Sequence, residues 1–183
     1  MKMSDTIGWH NEMAIYKFKD PDQKIHRRHE EEGVSAEVLA KEHFSDLKAV
    51  EYQHGNVACN AGLGDLLKLV FTTGGTKYDS SNAYIGVGDG NNVTVTPEAG
   101  DTDLDAPTNK LRKLVSSGPT INSQTVTMSA SFGDNEGEWV NQWREVGLFN
   151  HTSAGVMLCH LGGDKGVKGD GETWVVQLSL TFS

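Results

Sequence analysis

The chain has 183 residues, with 16 Lys and Arg against 25 Asp and Glu, for a formal net charge of -9. That length suits one domain able to bury a core without staples, and no apolar run approaches the ~20 residues of a membrane span. The acidic balance disfavours general nucleic-acid binding, which shows itself as a basic patch.

Charge and glycine divide the sequence. Residues 1–55 hold 8 of the Lys and Arg, 11 of the Asp and Glu and five of the seven histidines. Of the 21 glycines, only Gly8, Gly33 and Gly55 fall there. The opening residues, Met1 to Gly8, lack the apolar core of a signal peptide. Cys59 and Cys159 lie a hundred positions apart, and the expectation is two free, buried thiols in a protein made in the cytosol.

In chain order, Met13 and Ile15 alternate and Phe18 falls out of phase, which predicts a weak strand near 12–18. Asp20-Pro21-Asp22 is a turn. The run His26, Arg27, Arg28, His29 and Glu30 to Glu32 is too charged to pack and reads as a solvated or partner-facing segment. Residues 1–33 therefore read as an extended N-terminal arm, mixed in charge and short of periodicity. Ser35 caps a helix whose stripe is Ala36, Leu39, Ala40, His43, Phe44 and Leu47. Short strands follow at 49–52 and 57–59. Asn60 then caps the clearest helix in the chain, with Leu63, Leu66, Leu67 and Val70 as its apolar face and Thr72 to Gly75 as its stop. Residues 34–75 are thus a helical and strand connecting region.

After residue 80 the period changes from helical to alternating. Ala83, Ile85 and Val87 make a strand, and a long polar loop runs from Asp89 to about Asn109. Further strands are predicted at 111–115, 125–132, 143–149 and 155–161. The last run is the clearest, with Trp174, Val176, Leu178, Leu180 and Phe182 on one side of strict alternation. Residues 76–183 therefore predict a β-sandwich domain. The fold class is mainly β: an antiparallel, jelly-roll-like sandwich with one or two short helices and the N-terminal arm.

The motifs that carry chemistry fail their tests. Asp101, Asp103 and Asp105 open like a calcium loop, but Ala106 and Arg112 stand where Gly and Glu are required. His26 and His29 have zinc spacing without a second ligand pair. Gly86 to Gly90 follows a strand but lacks the spacing of a nucleotide loop and a helix after it. No nucleophile elbow is present. Cys159 and His160 are neighbours on a strand and face opposite ways. Glu136, Glu138 and Glu145 offer carboxylates for glycoside hydrolysis, but turn acidity explains the first two. The expectation is no enzyme, no cofactor and no metal site. Among Trp9, Trp139, Trp143 and Trp174, the strand residues read as core and Trp139 as a turn-edge contact. The candidate partner contacts are His26, Arg27, Arg28, His29 and Trp139.

The strand-rich part, through its series of segments, resembles a family of virion-associated proteins of tailed bacteriophages. The segments are 56–63, 82–89, 108–113, 125–133, 143–150, 155–158, 165–168 and 173–183, and their order and spacing carry the likeness. The chain departs from it at Cys159 and His160, where Asn-Arg and a basic residue are expected, and residues 1–55 lie outside it. The resemblance implies a structural protein of the virion, assembled in the host cytoplasm. One form is a capsid decoration (cement) protein, homotrimeric and bound to the major capsid protein or other virion proteins. The other is a tail or tail-fibre protein that binds a host-surface glycan or receptor. Neither form implies nucleic acid or membrane as a partner.

Overall fold

A computed structural model of the chain describes residues 8–183. The elements are β1 (Trp9–Lys19), α1 (Lys24–Glu32), α2 (Ala36–Glu42), β2 (Leu47–His54), β3 (Val57–Ala58), α3 (Asn60–Phe71), β4 (Tyr84–Gly88), β5 (Lys110–Leu114), β6 (Ser117–Asn122), β7 (Thr125–Phe132), β8 (Trp143–Phe149), β9 (Met157–Gly166) and β10 (Glu172–Phe182). The strands form two five-stranded antiparallel sheets, ordered β2-β1-β10-β7-β6 and β3-β9-β8-β4-β5. The protein is mainly β and sandwich-like. This order does not establish a jelly roll, because β4–β5, β6–β7 and β8–β9 each pair consecutively within one sheet.

The core between the sheets follows from alternation. Trp174, Val176, Leu178 and Leu180 of β10 point inward with Met128, Ala130 and Phe132 of β7. They meet Ile85, Val87, Val146, Leu148 and Leu161 of the other sheet. Trp143 has the parity of the outward residues of β8, but a register shift between Trp143 and Glu145 turns it into the core. There its ring lies 4.8 Å from that of Trp174 and 5.1 Å from that of Phe132, both edge-on.

The N-terminal arm expected over residues 1–33 is corrected by this architecture from residue 9 onward; residues 1–7 lie outside the described region. β1 pairs with β10 from Trp9–Phe182 to Lys19–Glu172 without a break, and with β2 on its other side. It holds that place because both of its faces are apolar. Met13 and Ile15 enter the core between the sheets. Ala14, Tyr16 and Phe18 join Ile25, Ala36, Leu39 and Val175 in a second core beneath α1 and α2. Phe18 is therefore in phase with the outer face. Residues 34–75 are likewise no connector, because β2 and β3 are edge strands of the two sheets. The boundaries expected near 33 and 75 separate nothing.

Two elements go beyond the sequence reading. α1 forms in the charged run because Asp20 receives its first turn: Ile25 N–H donates to Oδ1 at 3.1 Å and His26 N–H to Oδ2 at 2.9 Å. Gly33 then closes the helix with φ 65°, its N–H donating to the His29 carbonyl and that of Val34 to the Arg28 carbonyl. β6 contains Pro119, whose missing N–H an edge strand tolerates.

Candidate interaction surface

The predicted contact residues on α1 divide between surface and core. His29 is completely buried, and its Nδ1 donates to the Val34 carbonyl at 2.7 Å. It is thus a packing residue and is not available to a partner, because α1 lays it against the sheet. Arg27 is exposed. Arg28 pairs with Glu32 and Glu42. His26 is half-buried, with Nδ1 2.9 Å from Ser131 Oγ and Nε2 3.9 Å from Glu136. Burial lowers its pKa, against the pull of Glu136 and Glu30. Serine, imidazole and carboxylate in that order have the outline of a catalytic triad. Here Ser131 is completely buried beneath α1 and its hydroxyl donates to Glu30 at 3.0 Å. The network fastens the helix to β7. Trp139 is half-buried and packs against the core, its ring 6.3 Å from that of Trp143.

The carboxylates do not gather into a glycosidase pair. Glu136 receives Gly133 N–H and pairs with Lys113, and Glu138 receives Asn135 N–H and pairs with the buried Lys168. Glu145, on the outer face of the other sheet, has no exposed surface. Its Oε1 accepts from Gly90 N–H at 3.2 Å and Ala106 N–H at 2.8 Å, and its Oε2 from Asp105 N–H at 2.7 Å. His160 Nε2 lies 3.0 Å from Oε2, and its Nδ1 lies 2.7 Å from Asp101. Burial opposes the imidazolium, but hydrogen bonds and charge from Glu145 and Asp101 outweigh it, so the pKa is raised. This cluster staples the long loop 89–109 across β8 and β9. Asp103 of the same loop is held by Lys110 and Arg112, each at 2.7 Å, and Asp101 by His160, so two of the three calcium-like acidic residues are taken by separate protein cations. Sequence reasoning placed His160 opposite Cys159, as observed: Cys159 lies in the core and His160 on the outer face. It missed the contact with Glu145, whose trace in the sequence was one acid within the apolar strand 143–149.

The surface with unmet chemistry is apolar. α3 rests one side on β9, where Gly62 lies against the backbone of Met157 and Leu158. Asp65 faces inward and receives Thr76 N–H and the Asn150 amide. Of the predicted apolar face, Leu66 packs against the core and the other three residues face solvent. Leu67 is 58%, Val70 72% and Phe71 78% exposed, and Leu63 is also open. Beside the helix, Leu66 and Leu69 line a groove of about 450 Å³ shared with Tyr78, Ile121, Val126 and Phe182. Its floor is Met128, Leu158 and Leu180, so it reaches the core between the sheets.

No family model, no curated protein and no solved structure matched this chain. Among the described residues, no helix is long and apolar enough to cross a membrane.

Proposed function

We propose that this chain is a non-enzymatic structural protein of a tailed-bacteriophage virion, acting as a capsid decoration (cement) protein. It stabilises the head by contacts between subunits, as a homotrimer seated on the major capsid protein or other virion proteins. The virion assignment rests on the ordered series of segments in residues 56–183. The role in assembly rests on one observation, the solvent-facing apolar stripe of α3 beside an apolar groove. Contiguous apolar surface of this kind marks a site of contact with another molecule. The buried ionisable clusters, by contrast, are occupied in holding a loop and a helix.

The second reading is a tail or fibre protein that binds a host-surface glycan. Trp139 favours it, because a half-exposed indole beside a turn offers a stacking platform. Labelling the protein in intact particles and counting its copies decides between them. Many copies spread over the shell support cement. A few copies confined to the tail overturn it and favour the second reading.

A further inference from the structure

We propose that the outer face of α3 is a self-association surface that packs against α3 of another copy of this chain. The inference rests on the oligomeric part of the preceding proposal and names the surface that builds it. Leu63, Leu67 and Val70 are spaced by four and three residues, which is the spacing of a helix-pairing seam, and Phe71 flanks it. On a helix these four side chains form one continuous stripe roughly 100° wide. Gly64 lies on the same side, with open space where a Cβ would stand, so a second helix can approach closely.

Two further observations select another copy as the occupant. The first is area. The four open side chains of α3, with Ile121 and Phe182 beside them, expose on the order of 600 Å² of apolar surface. That is the upper end of what a monomer carries, and with a polar rim it approaches the ~800 Å² per partner of a stable interface. The second is charge. Each copy carries -9, so copies repel wherever acidic surfaces meet. Residues 60–71 contain only Asp65 and Lys68 as charged groups, one of each sign, and Asp65 is buried. Two α3 faces can therefore meet without bringing acidic surfaces together, and the one exposed charge of the segment, Lys68, lies 4.0 Å from the Asp65 carboxylate of its own chain. A basic partner would be drawn to the acidic surfaces and away from this neutral stripe.

The test uses the full chain and two variants of one exposed residue. Light scattering during size-exclusion chromatography across a dilution series measures the mass. The unmodified chain is expected to be oligomeric, and Leu67→Glu is expected to weaken association at least about 30-fold. Its circular dichroism should remain that of the folded protein, because Leu67 is half-exposed. Leu67→Cys, under mild oxidation, is expected to give a disulfide-linked pair of chains, and the native thiols do not compete because Cys59 and Cys159 are buried. A chain that is monomeric throughout the series overturns the inference. So does an oligomer that Leu67→Glu leaves intact and Leu67→Cys fails to crosslink, while the virion role stands. A dimer broken by Leu67→Glu supports the inference and overturns the proposed trimer.

Discussion

Glu145→Gln isolates the staple that holds the long loop. The substitution keeps size and shape and removes one buried charge. In the native protein the carboxylate accepts four hydrogen bonds, from Gly90, Asp105, Ala106 and His160. A glutamine with its oxygen at the Oε1 position keeps those from Gly90 and Ala106. Its NH₂ then faces the Asp105 N–H and the His160 Nε2. The Asp105 donor loses its acceptor, at about 1–2 kcal/mol for a part-buried hydrogen bond. His160 loses a charge-assisted bond and must give up its Nε2 proton to accept from the amide, at about 1–2 kcal/mol. The sum centres near 3 kcal/mol, which for a chain of this size lowers Tm by about 6–12 °C. Differential scanning calorimetry measures the shift. Hydrogen exchange adds position, since the amides of Asp105 and Ala106 should lose protection before the core strands do. A loss below about 1 kcal/mol, or unchanged exchange at those amides, refutes the staple.

The other predictions concern His160 and α3. The raised pKa of His160 means that its contribution is complete below about pH 6.5, the unfolded value, and fades as pH rises through the folded one. Urea unfolding from pH 6.5 to 8 should therefore show falling stability, and His160→Gln should flatten that slope. Above about pH 8 the buried Lys165 works the other way. Burial depresses its pKa to about 8, so stability linked to it rises toward the unfolded lysine value. A steeper slope in His160→Gln would contradict this assignment. For α3, Gly62→Ala should loosen the helix, because its Cβ would stand 2.6 Å from the Met157 carbonyl and closer still to Leu158 Cα. Gly64→Ala meets nothing within its own chain and, at a dilution where the chain is monomeric, should gain up to about 1 kcal/mol of helix propensity. Thermal melts that rank the two variants in the opposite order would refute this seating of α3.

The alternating strands were legible because each turns apolar residues toward the core at every second position, and β10 shows it at four, Trp174, Val176, Leu178 and Leu180. β1 was read as weak for the opposite reason. Both of its faces are covered, so Met13 and Ile15 serve one core while Ala14, Tyr16 and Phe18 serve another, and no single period stands out. α1 was hidden by composition, since only Ile25 and His29 turn inward from nine residues. Their spacing of four was the available signal, together with Asp20 ahead and Gly33 behind. α3 shows the limit of periodicity. The pattern grouped Leu63, Leu66, Leu67 and Val70 on one face, but grouping does not say which of them are covered: Leu66 packs against the core and the other three face solvent. The Glu145–His160–Asp101 cluster joins residues up to 59 positions apart, and only tertiary structure brings them together.

The pairing of β1 with β10 also governs how this protein is made. Trp9 and Phe182 are partners although 182 minus 9 places them 173 positions apart. On the ribosome, β1 and β2 emerge early with the flank of β1 unpaired, and that flank waits until residues 172–182 appear. β10 then inserts between β1 and β7, joining two parts of a sheet already synthesised. Contacts so distant along the chain slow folding. In the interval the free flank of β1 is an open template for other chains. Nascent chains halted before residue 172 should therefore aggregate or bind chaperones, and the arrival of residues 172–182 should be the step that closes the sheet.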